Sequence, residues 1–179
     1  MDGRICLFQG DAYVAYGNYS EAKKYYTEAV ILKTEIPQNV RMLCYNILIE
    51  KLRYMIKGIY KIFFKNEESS LDDETIGLAI ALQRLSMISM FQSEKKFANL
   101  TILQSIRMIF KNSSTFLEKG KIYLCAVDIF RQLNDIGMIN DVEEMILVVI
   151  RNKTALAGWT KPEEIIILVK IYKMMYEHR

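Results

Sequence analysis

The sequence predicts an all-α protein in which antiparallel helix pairs stack as a short α-solenoid. Apolar residues recur three and four positions apart along most of the 179 residues, which is the period of a helix. Two prolines and eight glycines are too few for the many turns of an all-β chain. Short connections favour antiparallel helices stacked in sequence. We expect about eight helices in a single domain, 1–179.

The first predicted hairpin, 3–37, carries the most specific pattern. Small residues at Gly10, Ala22 and Ala29 share helix faces with Tyr13 and Tyr26, because residues three and four apart lie on one side of a helix. The small residues allow two helices to approach closely, and the tyrosines fill the space beside them. We therefore expect an interlocked helix pair in which large side chains pack against small ones.

The turn of this hairpin is marked by Gly17, which tolerates the left-handed conformation of a helix end. Asn18 or Ser20 can cap the second helix. With Tyr19 and the closing Pro37, the spacing resembles one tetratricopeptide repeat, a helix-turn-helix unit that holds other proteins. The resemblance implies a protein-binding function without naming the partner.

In the resembled family, one face of the first helix lines the binding groove. Family members that clamp a C-terminal carboxylate carry Lys and Asn where this chain has Leu7 and Asp11, so the resemblance does not imply that activity. No predicted helix precedes this hairpin, so we expect Ile5, Leu7, Phe8 and Val14 to be uncovered and to mark an interface. The partner-binding residues implied by the resemblance are Arg4, Leu7, Asp11, Val14 and Ala15.

The rest of the chain departs from the repeat pattern. A long predicted helix, 39–65, is about twice the length of a repeat helix and interrupts the stack. Residues 67–73 are polar and lack periodicity, which is typical of a loop. A degenerate pair follows at 71–111, capped at Asp72 or Asp73 and again at Ser93. Its small residues Ser86, Ala98 and Ser105 have the same spacing as Gly10, Ala22 and Ala29. This match reflects either a degenerate repeat or coincidence.

A second degenerate pair is predicted at 114–152. Ser113 and Ser114 are expected to cap its first helix, which would end at Gly137, and Asn140 would start the next one. The series Gly137, Ile139, Val142, Ile146 and Val149 matches the frame that begins at Gly17. A last helix, 160–178, begins with a capping box from Thr160 to Glu163 and a proline in its first turn.

Residue chemistry argues against an enzyme. The only histidine, His178, lies next to the C-terminus, where chains fray. Metal-binding and phosphate-binding motifs are absent from the sequence, so we expect no metal and no cofactor. The widely spaced Cys6, Cys44 and Cys125 are expected to be buried thiols of a reducing compartment. No export signal is evident, and the apolar runs are shorter than the ~20 residues of a membrane span, so we expect an intracellular protein, cytoplasmic or nuclear.

A basic stripe, Arg53, Lys57, Lys61 and Lys65, runs along the long predicted helix. It could dock an acidic peptide, nucleic acid or an anionic membrane surface, but a net charge of +3 favours a solvated face.

The leading hypothesis is a non-enzymatic interaction module or scaffold subunit that binds a peptide or helix of a partner within a multiprotein complex. Alternatives are a nucleic-acid-associated protein that uses the basic stripe, and a structural subunit that associates with itself.

Overall fold

The computed structural model describes residues 3–31, 34, 37, 39–63, 73–110, 115–156 and 161–176, with backbone only for 55–63, 73 and 155–156. These residues form eight helices and no strand, which confirms the predicted all-α class, and the packing of helix pairs is solenoid-like. The helices are α1 Gly3–Ala15, α2 Tyr19–Ile31, α3 Val40–Phe63, α4 Asp73–Phe91, α5 Lys95–Phe110, α6 Phe116–Gln132, α7 Ile136–Leu156 and α8 Pro162–Tyr176.

Contacts divide the chain into two compact units, Met1–Ser113 and Ser114–Arg179. Each unit is described by itself below. The single domain expected over 1–179 stays a prediction. The expected loop 67–73 lies outside the described residues except for Asp73, where α4 begins.

In the first unit, the hairpin α1/α2 packs against α4, which forms the next hairpin with α5. Their shared core contains Cys6, Ala22, Tyr26, Leu82 and Leu85. Ala22 and Tyr26 of the motif are therefore buried as expected, whereas Tyr13 is half-buried and Tyr19 is exposed. The long helix α3 packs against α5. The neighbour of α2 in the stack is therefore α4, and α3 departs from the expected stacking in chain order.

The hairpins α1/α2, α4/α5 and α6/α7 close through the same turn. One residue in each has a left-handed backbone, Gly17 (φ 74°), Ser93 (φ 63°) and Asn134 (φ 55°). The N–H of the following residue then donates to a carbonyl five residues earlier in the helix, the Schellman pattern that satisfies a helix end. These bonds join Asn18 N to Tyr13 O at 2.9 Å, Glu94 N to Ser89 O at 2.8 Å and Asp135 N to Phe130 O at 2.9 Å.

The first turn was predicted correctly. Asn18 caps α2, because its carbonyl accepts from Ala22 N and its side chain accepts from Glu21 N at 3.2 Å. The left-handed residue of the second turn keeps the spacing of the first hairpin, since Ser93 follows Gly17 by the same number of residues as Ser86 follows Gly10. Ser86, Ala98 and Ser105 are all fully buried, like the small residues of the first hairpin.

Three predictions about the helix ends were wrong. Ser93 is the left-handed residue of the turn, not a cap, and the carbonyl of Glu94 accepts the first bond of α5. Asn134 ends α6 three residues before the expected Gly137, so α7 begins at Ile136 and not at Asn140. The predicted repeat series, which places Gly137 at the position equivalent to Gly17, is therefore out of register with the observed turn.

The second unit is held by α6, which packs against both α7 and α8. Thr115 caps α6 in a capping box with Glu118, whereas the expected caps Ser113 and Ser114 lie outside the described residues. Helix α8 begins at Pro162, in agreement with the predicted first turn, while Thr160 of the predicted capping box also lies outside. Lys153 Nζ of α7 lies 3.0 Å from Glu164 Oε1 of α8, and this Glu164 side chain is buried.

The cysteines differ from the expectation of three buried thiols. Cys6 is buried and Cys125 is half-buried, but Cys44 is exposed. The physical reason is that α3 packs against α5 through the side that carries Leu43 and Tyr54. Cys44 follows Leu43 directly and is therefore turned about 100° away from that side.

Candidate functional site

The predicted binding residues of α1 do not form one open face. Leu7 and Val14 are half-buried against the core of the first unit, because α4 packs beside α1. Arg4 and Ala15 are exposed. The expectation that Ile5 and Phe8 are uncovered is confirmed, with Phe8 70% exposed, but the same expectation was wrong for Leu7 and Val14.

Asp11, the fifth of these residues, is engaged within the unit. Its Oδ1 accepts a hydrogen bond from the Tyr26 hydroxyl at 2.5 Å and lies 3.5 Å from Arg84 Nε. Burial raises the pKa of Tyr26, and the hydrogen bond to the Asp11 carboxylate raises this pKa further. Asp11 therefore ties α1 to both α2 and α4, and partner binding through the predicted set stays a prediction.

Only the first residue of the basic stripe has a described side chain. Arg53 is half exposed, and its Nη1 donates to Glu50 Oε1 at 2.8 Å. Lys57 and Lys61 lie on α3, but their side chains are outside the described part of the chain, as is Lys65 entirely. The nucleic-acid hypothesis that depends on this stripe is thus untested.

The outer face of α3 is a site that sequence reasoning missed. Leu43, Glu50 and Tyr54 point toward α5, where the Tyr54 hydroxyl donates to the Leu103 carbonyl at 2.6 Å. The opposite side carries Tyr45, Leu48 and Leu52, which are 61%, 56% and 45% exposed. We call these three residues the outer stripe. The sequence places apolar residues on both sides of α3, but no local feature of the sequence indicates which side packs against another helix.

A further exposed group lies where two hairpin turns meet. Tyr16 and Tyr19 of the first turn line one surface depression together with Phe91 of the second, and the Tyr19 and Phe91 ring centroids are 6.3 Å apart. Lys23 Nζ reaches from α2 to Glu94 Oε1 at 2.6 Å and fixes the two turns side by side. Tyr19 belongs to the repeat pattern, but the neighbouring Phe91 had no signal in the sequence.

Between α3 and α5 lies a polar pocket of about 320 Å³. Its charged groups are Glu50 and Arg53 of α3 and Arg107 of α5, whose Nη1 is 3.3 Å from the same Glu50 Oε1. Thr34, Asn46 and Gln104 complete its polar lining.

Comparisons with protein-family models, with curated proteins and with solved structures found no match for this chain. Within the described helices, none combines the length and the apolar character that crossing a membrane would require. The described residues also contain no group of three His, Cys, Asp or Glu side chains placed to hold a metal ion.

Proposed function

We propose that this chain is a non-enzymatic interaction module, a scaffold subunit that binds an amphipathic helix of a partner protein within a larger complex. The observation that carries this proposal is the outer stripe of α3. One side of this helix is packed on α5, and the opposite side presents large apolar side chains to solvent. Exposed apolar surface of this kind marks interaction sites in proteins.

The spacing of the outer stripe favours a helix as the bound element. Tyr45, Leu48 and Leu52 alternate three- and four-residue steps, as the core positions of a coiled coil do. An amphipathic helix laid along such a seam buries its own apolar side chains at matching intervals. The sequence of α3 continues the same alternation through Met55, Ile59 and Ile62.

The resemblance of 3–37 to a tetratricopeptide repeat supports the same class of function, since such repeats hold peptides and helices. The hairpins α4/α5 and α6/α7 close through the same kind of turn as α1/α2, which supports a protein built from similar helix pairs. Arg4, Leu7, Asp11, Val14 and Ala15 remain a second predicted contact region.

The test is affinity capture from cells of the source organism with the full chain and two variants. Leu48→Glu places a charge on the outer stripe, where an unpaired charge in an interface should weaken binding by more than about 1 kcal/mol. Ile31→Glu is the matched control, because Ile31 of α2 is 59% exposed and lies outside the stripe. The proposal expects a protein that the native chain and Ile31→Glu retain and Leu48→Glu loses.

A photo-crosslinking residue at position 52 then maps the contact. Crosslinks to a segment with helical apolar spacing support the proposal. Equal retention by Leu48→Glu and the native chain would contradict it. If the crosslinked protein is this chain itself, and sedimentation of the purified chain shows a dimer that Leu48→Glu dissociates, the self-associating subunit is the correct function instead.

A further inference from the structure

Helix α1 has an apolar side that none of the described helices covers. Its buried side, which carries Cys6 and Gly10, faces the first unit, where α1 packs against α2 and α4. The opposite side is apolar and exposed, and its four side chains lie within an arc of about 80° at 100° per residue. We call these four residues the α1 face: Ile5, Phe8, Ala12 and Ala15.

The α1 face has the spacing and the size pattern of a seam that pairs with a copy of itself. Its residues follow steps of three, four and three, as the core positions of helices packed side by side do. The two large side chains lie in the N-terminal half of α1, and the two small ones lie in the C-terminal half. A second copy that runs antiparallel therefore brings the large half of each helix against the small half of the other.

One antiparallel register matches both large side chains with small ones. A two-fold axis level with Gly10 places Phe8 of one copy opposite Ala12 of the other. The same axis places Ile5 opposite Ala15, because the members of each pair are equally far from residue 10. No other antiparallel register pairs both large side chains with alanines. Large side chains set against small ones give the close packing of a protein interior.

The charges of α1 are compatible with this register. Arg4 and Tyr16 flank the α1 face, and Tyr16 is 86% exposed. The two-fold axis brings Arg4 of one copy opposite Tyr16 of the other, so the two arginines do not meet. A guanidinium is attracted to the face of an aromatic ring. Asp11, the other charged residue of α1, lies outside the α1 face and is engaged with Tyr26 and Arg84.

We infer that two copies of this chain associate through their α1 faces, as an antiparallel helix pair with two-fold symmetry. Such an interface is isologous, so each contact occurs twice. Each copy contributes one helix of 13 residues, so the interface is small and the dimer dissociates reversibly at micromolar concentrations. The α1 face and the outer stripe lie on different helices. The inference therefore goes beyond the proposed function and does not depend on it.

Sedimentation velocity of the full chain, from about 1 μM to about 1 mM, measures the association. We expect a monomer–dimer equilibrium for the native chain. Ala12→Glu should weaken the dimer by about tenfold or more, because it sets a carboxylate against Phe8 of the other copy. Ile31→Glu is the matched control, since Ile31 is 59% exposed on α2 and lies outside the α1 face, and it should leave the dimer unchanged. Circular dichroism verifies that both variants keep the native helical content.

An exchange of side-chain sizes tests the register. Phe8→Ala alone leaves two alanines opposite each other, and Ala12→Phe alone sets two phenylalanines together, so each should weaken the dimer by about tenfold. The double variant with both changes again pairs large with small and should recover most of the lost affinity. The inference is overturned if the native chain is monomeric over the whole range, or if the double variant binds no tighter than Phe8→Ala. It is also overturned if Leu48→Glu dissociates the dimer and Ala12→Glu does not.

Discussion

The backbone of Gly10 lies directly against the ring of Tyr26. A Cβ atom on Gly10 would sit 2.4 Å from Tyr26 Cε1 and 2.6 Å from Cδ1, well inside van der Waals contact. The ring has no room to retreat, since Tyr26 is fully buried and its hydroxyl bonds Asp11. Gly10 and Tyr26 of the repeat pattern thus pack directly against each other and join α1 to α2.

We expect Gly10→Ala to lower the free energy of unfolding by about 1–2 kcal/mol. Overpacking a filled core costs about 1–3 kcal/mol, and the better helix propensity of alanine offsets part of it. Gly77→Ala is the matched control, because nothing lies within 4 Å of a Cβ at this helical glycine. It should stabilise by about 0.5–1 kcal/mol. Urea denaturation measures both, and a stabilising Gly10→Ala would show that the close contact with Tyr26 does not exist.

We expect Ser93→Gly to stabilise the first unit by about 0.5–1 kcal/mol. Ser93 holds a left-handed backbone, which is strained for a residue with a Cβ atom and free of strain for glycine. The reverse exchange at the equivalent position, Gly17→Ser, should destabilise by a similar amount. Thermal unfolding of the two variants compares the turns directly, and a loss of stability in Ser93→Gly would contradict the assigned turn.

We expect Lys153→Met to destabilise the second unit by about 3 kcal/mol. The change leaves the buried carboxylate of Glu164 without its ammonium partner, which lies 3.0 Å away. Adding Glu164→Gln to Lys153→Met should recover part of the loss, since a neutral amide costs less to bury than a charge. Lys170→Met, an exposed position on α8, is the control. If Lys153→Met and Lys170→Met unfold at the same urea concentration, the ion pair has no net role.

The stability of the second unit should fall at alkaline pH because of Tyr123. Burial raises the pKa of its phenol above the ordinary value of about 10, so the folded state favours the neutral form. This contribution is complete below pH ~10 and is lost as pH rises toward the folded-state pKa, by up to about 1.4 kcal/mol per pH unit. Tyr123→Phe should flatten this decline, whereas Tyr16→Phe, at an exposed position, should not. Unfolding measured from pH 8 to 11 follows the slopes, and equal slopes in native protein and Tyr123→Phe would argue against the burial effect.

The first hairpin could be predicted from the sequence in detail because its signals are local. Gly17 ends α1 and Asn18 caps α2, so two adjacent residues specify the turn. The small size of Gly10 and Ala22 and the large size of Tyr26 predict the close contact between the two helices. The later turns were harder to locate. Gly137 satisfies the local rules for a left-handed residue better than Asn134, yet Asn134 takes that role.

The sequence by itself determined the helical class, the boundaries of most helices and the close-packed first hairpin, because period, capping and side-chain size act over a few residues. Only the tertiary structure decided which side of the long helix α3 is buried. Both sides of α3 are apolar enough to pack, and the choice between them depends on α5, which supplies the Leu103 carbonyl to Tyr54 and Arg107 to Glu50. Those partners are distant in sequence. Their approach turned Tyr45, Leu48 and Leu52 outward and created the pocket around Glu50 and Gln104.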